Sequence, residues 1–297
     1  MTIRCLLSMT LVCAGAWAQG RTVAITVDDL PYVGGNGPEA QTGNRRLLDV
    51  FRAHRVPVTG FVIQKRVEDL GPAGPAILSQ WTRAGLQLGN HSYEHRDANT
   101  MTVEEIEDQI VRGEGGRKVR WFRFPMNHTG DTAEKRDAVA AFLAKRGYRL
   151  AVCTIENEDY LFNAAYVRIL AKNDEPSASR LRREYLAFTA AEIDWYAALN
   201  KQVLGYEPPE VMLLHDDRLN SELAGDILKM FEDRGYRFVT LDAAMSDPAY
   251  KGPDQFVTKS GAMWGYRWAR ERGVKVNGSA EPQESEWIRD WAKAEHE

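Results

Sequence analysis

Apolar, strand-like runs alternate with amphipathic, helix-like segments along most of this sequence. The first cycle passes from a strand-like run at residues 22–27 through a helix-like segment at 43–55 to a second apolar run at 56–63. The alternation continues to a last strand-like run at 236–241. Because a strand, a helix and a parallel strand form a βαβ unit, this order predicts an α/β fold built on a parallel, barrel-like sheet.

Two long polar segments interrupt the regular order late in the chain. Residues 159–172 and 179–204 both have helical patterns. The whole segment 160–205 is longer than a single crossover between parallel strands requires. This segment could shape a substrate cleft or only cover the barrel, and both interpretations stay open from the sequence.

The first 18 residues have the features of a secretory signal peptide. Arg4 precedes an apolar stretch at residues 5–16, and the sequence AWA at 16–18 places small residues where a signal peptidase cleaves. A permanent membrane anchor is the weaker interpretation because the stretch is too short to span a bilayer as a helix. After removal of this leader the sequence contains no candidate transmembrane segment, and we expect a secreted or periplasmic protein.

The composition is typical of a globular protein. Of 297 residues, 44% are hydrophobic and 27% are charged, which suits one large domain or two small ones. The formal net charge is -4 at pH 7, and loss of Arg4 with the leader would make it more negative. Nucleic acid is therefore not an expected partner.

The cysteines predict no disulfide framework. Cys5 and Cys13 lie in the predicted leader, so the mature chain keeps only Cys153. We interpret Cys153 as a small core residue. Trp264 and Trp268, four residues apart, are interpreted as packing onto the barrel, with stacking on a sugar as the alternative.

Two adjacent carboxylates end the first predicted strand. Asp28 and Asp29 follow the apolar run directly, where like charges repel each other. One of them could cap the next element while the other is solvated. The stretch HSYEH, however, places His91 and His95 four residues apart at the end of another predicted strand. Two imidazoles and one carboxylate could hold a divalent ion, and the second carboxylate could then accept a proton from water that the ion activates.

Five stretches, in this order, resemble the motifs of the polysaccharide deacetylase family, the NodB-homology carbohydrate esterases. They are TVDD at 26–29, HSYEH at 91–95, RFP at 123–125, ENEDY at 156–160 and LLH at 213–215. The resemblance covers roughly residues 22–245. It implies a distorted parallel (β/α) barrel. Together with the leader at 1–18 and the charged C-terminal tail at 280–297, which the composition indicates, this places the polysaccharide deacetylase domain at 19–279.

The first two motifs imply the catalytic base and the metal ligands. Carried over residue by residue, Asp28 would be the base, and Asp29, His91 and His95 would bind the metal. The resemblance implies one divalent ion, with zinc expected and cobalt or nickel able to replace it.

The other three motifs imply the remaining catalytic roles. In RFP, Arg123 would orient the base, and the backbone N–H of Met126, where the family commonly has Tyr, would stabilise the oxyanion. In LLH, Leu213 would form a wall of the acetyl pocket and His215 would be the general acid.

The fourth motif departs most from the family pattern. In ENEDY, Asp159 would be the partner of the catalytic histidine, Tyr160 stands where the family has Trp, and Glu156 stands where it has Asp. With less aromatic surface near the metal, binding to short oligosaccharides is expected to be weak.

The resemblance implies a metal-dependent hydrolase that removes N-acetyl groups from an amino-sugar polysaccharide such as chitin or peptidoglycan. An O-acetyl esterase acting on acetylated xylan or a similar glycan is the alternative with the same chemistry. A non-catalytic glycan-binding envelope protein is the alternative from another class.

One expectation concerns the tail itself. Trp287 and Trp291 are four residues apart and could dock a short helix on the body of the protein. A loosely attached terminus is the expected arrangement, because chain ends of this charged composition are usually poorly fixed.

Overall fold

The computed structural model describes residues 20–252 and 254–293, so the predicted signal peptide lies outside the described residues. Within them, seven strands form one parallel sheet. The strands are β1 (Thr22–Leu30), β2 (Thr59–Val62), β3 (Gln87–Asn90), β4 (Trp121–Phe122), β5 (Arg149–Leu150), β6 (Glu210–His215) and β7 (Arg237–Phe238). They are ordered β5-β4-β3-β2-β1-β6, and β7 pairs with the start of β1.

Helices connect the strands and cover the sheet. The eleven α-helices of the described residues are α1 (Gly37–His54), α2 (Gln64–Asp69), α3 (Ala73–Arg83), α4 (Val103–Gly113), α5 (Ala133–Lys145), α6 (Asp159–Ala171), α7 (Glu175–Leu204), α8 (Arg218–Asp233), α9 (Leu241–Ala244), α10 (Trp264–Glu271) and α11 (Glu286–Lys293). None of these helices combines the length and the apolar character that crossing a membrane requires. The predicted order of strands and helices is confirmed.

Strand β1 is buried along nearly its whole length, and it is mostly apolar or β-branched up to Val27. From Val23 to Leu30 every residue is buried, and the strand lies between β2 and β6. A strand in this position gains from β-branched side chains, which pack well on a pleated surface. The parallel register sets Asp28 opposite His215, so the motifs at the ends of β1 and β6 lie side by side.

The chain after β5 brings the two edges of the sheet together. Ile155 pairs with Met212 of β6 through an isolated parallel bridge. The N–H of Thr154 donates to the carbonyl of Val211 at 2.9 Å, and the N–H of Leu213 donates to the carbonyl of Ile155 at 3.0 Å. This contact is an irregular bridge rather than a full ladder, so the predicted α/β fold is confirmed as a distorted parallel (β/α) barrel.

The expectation of a loosely attached C-terminal segment is wrong for residues 286–293. Helix α11 packs against α6, and Ile288 is fully buried between them. The indole N–H of Trp287 donates to Glu184 at 2.7 Å, and the guanidinium of Arg168 donates to the carbonyl of Trp291 at 2.9 Å. The two tryptophans thus anchor a short amphipathic helix, which the charged composition of the segment hides.

Candidate active site

Most of the predicted site residues meet in one cleft at the carboxyl ends of β1, β3 and β6. The cleft has a volume of about 650 Å³. Eight of the predicted residues line it: Asp28, Asp29, His91, His95, Met126, Tyr160, Leu213 and His215. The other two, Arg123 and Asp159, are buried behind it, where each contacts one of the residues on the wall.

Asp29, His91 and His95 form a compact group at the bottom of the cleft. One potential ligand atom from each residue lies within 4.8 Å of the others. Oδ1 of Asp29 is 3.6 Å from Nε2 of His91 and 3.4 Å from Nε2 of His95. Three atoms at these distances could contact one ion placed between them after small adjustments, since Zn–N and Zn–O distances are about 2.0 to 2.2 Å.

The protonation of these groups also suits a cation. Nδ1 of His91 is 2.9 Å from the carbonyl oxygen of Arg123. A carbonyl can only accept, so Nδ1 carries the proton and Nε2 keeps a free lone pair. Burial, followed by the neighbouring His91, lowers the pKa of His95 to about 4. The imidazole of His95 is therefore neutral near pH 7, as a metal ligand must be.

Asp29 supplies the negative charge of the group. Burial by itself would raise its pKa, but Arg66 and then the nearby histidines outweigh it and lower the pKa to about 2. Oδ1 of Asp29 is buried and has no hydrogen-bond partner among the described residues. A buried carboxylate oxygen without a partner is costly, and a cation bound between Asp29, His91 and His95 would remove this cost. The residues present fit a divalent ion with an N,N,O ligand set.

Arg66 is part of this group, and sequence reasoning missed it. Its Nη1 is 3.3 Å from Oδ2 of Asp29 and donates to the Asp29 carbonyl at 3.2 Å. The guanidinium thereby holds one carboxylate oxygen and leaves the other facing the histidines. Arg66 follows β2 in helix α2 and belongs to none of the five motifs, so no local signal marked it.

Asp28 is held by a fully buried arginine. Nη1 of Arg123 donates to Oδ1 of Asp28 at 2.8 Å and to the hydroxyl of Thr26 at 2.8 Å. The rest of the guanidinium donates to main-chain carbonyls of residues 151 and 152. Oδ2 of Asp28 lies on the side of the histidines, 3.7 Å from Nε2 of His91. The arrangement fixes the carboxylate and leaves one oxygen next to the proposed metal position.

His215 is hydrogen-bonded to Asp159, which is buried behind the cleft. Nδ1 of His215 is 2.6 Å from Oδ1 of Asp159, and the N–H of His215 donates to Oδ2 at 2.7 Å. The amide of Asn220 also donates to this carboxylate. Burial alone would lower the pKa of His215, but Asp159, with smaller contributions from Asp29 and Asp28, raises it to about 10. The ring is therefore a cation near neutral pH, and Asp159 fixes which nitrogen faces away from the cleft.

The backbone is left-handed at several residues of the cleft. Asp29 has a φ of 67°, His95 of 59° and Met126 of 55°. Non-glycine residues adopt such angles at a cost of about 1 to 3 kcal/mol each, which the surrounding structure must offset. Asp29 and His95 are metal-ligand candidates, and Met126 is the oxyanion candidate. Left-handed backbone at such residues is typical of a functional site.

The substrate-contact candidates differ in their exposure. Met126 and Tyr160 are 48% and 55% exposed, whereas Leu213 is 5% exposed. Cys153 is fully buried, and its Sγ lies 3.7 Å from Oδ1 of Asn127. This agrees with its interpretation as a core residue.

A C-terminal segment completes the cleft and was not predicted. Ser260, Gly261 and Ala262 line it opposite the strand ends. A Cβ on Gly261 would lie 1.9 Å from the carbonyl oxygen of Met126, so only glycine permits this close approach of two main chains. Trp264 and Trp268 behind the segment are buried, as their predicted packing role requires.

Arg267 joins this segment to the Met126 loop. It is fully buried, and its guanidinium donates to the carbonyls of Asn127 at 2.6 Å and Ala262 at 2.8 Å. Nη1 also donates to Oδ2 of Asp254 at 2.7 Å. The segment and the loop that carries the oxyanion candidate are thus held by one cation.

We expect Arg267→Met to lower the free energy of unfolding by about 3 to 5 kcal/mol, because it leaves the carboxylate of Asp254 buried without its partner. Urea denaturation of this variant and of Arg270→Met, on the exposed side of the same helix, measures the effect. Equal midpoints for the two variants would show that the buried pair does not stabilise this part of the fold.

Comparison with known proteins agrees with the motifs. The family model described as "Polysaccharide deacetylase" matches residues 17–143, which include the first three motifs. Over these residues the chain is similar to the polysaccharide deacetylase family. The last two motifs, at 156–160 and 213–215, lie beyond the matched residues, and the structure brings them to the same cleft.

Two curated relatives of this chain are, by their names, bacterial peptidoglycan deacetylases. A peptidoglycan-N-acetylglucosamine deacetylase of Bacillus cereus is 24% identical over 225 residues, which cover 74% of this chain and 86% of the relative. The peptidoglycan-N-acetylmuramic acid deacetylase PdaA of Bacillus subtilis is 24% identical over 241 residues, which cover 78% of this chain and 74% of the relative.

The fold also matches solved structures. BA3943 of Bacillus anthracis, described as a CE4 family pseudoenzyme, matches with a TM-score of 0.52 and 18% identity over 76% of this chain and 66% of that one. A mutant of it with restored enzymatic activity matches with the same TM-score. At this identity the likeness shows the fold alone, which is the distorted barrel of the polysaccharide deacetylase type.

Proposed function

We propose that this protein is a metal-dependent deacetylase that removes N-acetyl groups from an amino-sugar polysaccharide. One observation carries the proposal: a cation site, a fixed carboxylate and a carboxylate-bound histidine face the same cleft. These are Asp29 with His91 and His95, Asp28, and His215. Hydrolysis of an amide needs an activated water, a stabilised oxyanion and an acid for the leaving amine.

The chain's own residues account for the proton transfers. Oδ1 of Asp28 is occupied by Arg123, so Oδ2 is the atom that would accept the proton of the attacking water. Nδ1 of His215 is bound to Asp159, so Nε2 would donate the proton that the departing amine needs. In the tetrahedral intermediate, the N–H of Met126 would stabilise the oxyanion.

The remaining component of this scheme is a divalent ion. A divalent ion held by Asp29, His91 and His95 would supply a Lewis acid that polarises the acetyl carbonyl and lowers the pKa of a water molecule. Zinc is the proposed ion, because neutral imidazoles and one carboxylate without a thiolate suit it, and cobalt or nickel should replace it.

The substrate class follows from the two peptidoglycan relatives together with the chemistry of the cleft. We propose an N-acetylated amino-sugar polymer of the bacterial wall or a chitin-like glycan, met outside the cytoplasm after export by the leader at 1–18. An O-acetylated glycan is the competing substrate, because esters and amides share the tetrahedral path.

Acetate release from the zinc-reconstituted protein tests the proposal. We expect release from peptidoglycan fragments or N-acetylglucosamine oligomers, a much slower release from acetylated xylan, and loss of both with a strong chelator. Faster release from xylan would make the protein an O-acetyl esterase. No release from any of these substrates, with the metal bound, would favour a non-catalytic glycan-binding protein.

A further inference from the structure

A second cavity adjoins the cleft and is strongly acidic. It has a volume of about 540 Å³, and Glu156, Glu158 and Tyr160 line both it and the cleft. Five carboxylates and only two cations line the cavity: Glu156, Glu158, Glu192, Glu281, Glu284, Arg289 and Lys293. One of the cations, Arg289, is already paired with Glu284 at 3.2 Å. The described residues thus bring more carboxyl groups than cations to a concave site.

Helix α7 directs one of these carboxylates into the cavity. Glu192 is 3% exposed, and its Oε2 has no hydrogen-bond partner among the described residues. Burial, followed by the neighbouring Glu281 and Glu156, raises the pKa of Glu192 to about 9. Glu192 therefore holds a proton near pH 7, and its buried oxygen without a partner is a cost to the fold. A ligand that donates hydrogen bonds and carries positive charge would remove it.

The other walls of the cavity are aromatic and hold the acid groups in place. The hydroxyls of Tyr196 and Tyr266 donate to the two oxygens of Glu281 at 2.5 Å and 2.8 Å. Phe188 and Tyr160 supply further ring surface. Carboxylates beside aromatic rings suit an organic cation, whose ammonium is attracted both by the negative charge and by the ring faces.

The size of the cavity favours an organic cation over a metal ion as its ligand. Divalent hard cations need six or more oxygens at about 2.0 to 2.6 Å, whereas this cavity has the volume of a small-molecule site. A primary ammonium has three donors, which matches carboxylates spread around a wider space. A sugar ring that carries the ammonium would fill the rest of the cavity against the tyrosines.

We infer that the acidic cavity binds the ammonium group of a deacetylated amino-sugar unit in the same glycan chain that occupies the cleft. This inference rests on the proposed function, because hydrolysis of an N-acetyl group leaves a primary amine on the sugar. The substrate would then be a partly deacetylated polymer, whose free amine lies in the cavity while an acetylated unit lies at Asp28 and His215. Segment 160–205 thus shapes a binding site as well as covering the barrel.

Binding of a fully deacetylated glucosamine tetramer to the zinc-loaded protein tests the inference. The tetramer has no acetyl group, so calorimetry measures binding without turnover. We expect it to bind more tightly than the N-acetylated tetramer and more weakly as salt is added. Glu192→Gln and Glu158→Gln should each weaken its binding about tenfold, as expected for the loss of a charged hydrogen bond. Glu104→Gln, an exposed change on α4, should leave it unaffected.

The outcomes separate this inference from the proposed function. The inference would be wrong if the amine tetramer bound no more tightly than the acetylated tetramer. It would also be wrong if neither cavity variant weakened binding of the amine tetramer, or if calcium bound stoichiometrically in the cavity and excluded the tetramer. Selective amine binding without acetate release from any substrate would instead retain the acidic site and refute the deacetylase. Thermal melts of both variants establish that they are folded.

Discussion

Asp28→Asn is expected to lower turnover by roughly 10² to 10⁴, the range for losing a general base, while the bound metal stays near its wild-type level. Asparagine keeps the shape of the side chain and an oxygen for Arg123, which donates to Oδ1 at 2.8 Å. It cannot accept the proton of the attacking water. Acetate release and elemental analysis of the same preparation measure both quantities.

The neighbouring carboxylate provides the contrast for this prediction. Asp29→Asn removes the charge of the N,N,O group and should lose the metal together with activity. Asp49→Asn, an exposed carboxylate on α1, should change neither. If Asp28→Asn and Asp29→Asn retained the same amount of metal, the division of roles between the two neighbours would be wrong.

His215→Gln is expected to lower kcat/KM by a similar factor, roughly 10² to 10⁴, because the departing amine loses its proton donor. The matched control is His54→Gln, since His54 forms a comparable pair with Glu232 at 2.9 Å away from the cleft. Activity of His215→Gln within a few-fold of the control would exclude His215 as the acid.

The pH dependence reports on the same pair. Asp159 raises the pKa of His215 to about 10, so His215 keeps its acid form below that pH and loses it as the pH rises through the pKa. Asp159→Asn should lower this pKa and shift the alkaline limb of the kcat/KM profile to lower pH. An alkaline limb at the same pH in both proteins would show that Asp159 does not control the protonation of His215.

The sequence predicted the fold and the motif residues well because both have local signals. The apolar, β-branched run of β1 up to Val27 is a clear strand signal, and Asp28 and Asp29 follow it directly. His91 and His95 are four residues apart, and this spacing alone brings them near each other. The parallel register of β1 and β6 then places His215 beside Asp28, which the order of the strands implied.

The parts that the sequence did not predict depend on contacts between distant segments. Arg66 reaches Asp29 from helix α2, and Arg267 reaches the Met126 loop from α10, about 140 positions away. The acidic cavity combines α7 with the segment around Glu281, and neither element has a motif of its own. The docking of α11 depends on such contacts too, because α11 packs against α6 and Trp287 donates to Glu184 of α7.

The central claim is that one ion between Asp29, His91 and His95 makes the cleft a hydrolase. Titration of the chelated protein with zinc, followed by acetate release from an N-acetylglucosamine oligomer, tests it most directly. We predict no activity without metal and a linear rise that ends at one equivalent of zinc per chain. Full activity in the metal-free protein, or a rise that ends only at two equivalents, would contradict the account.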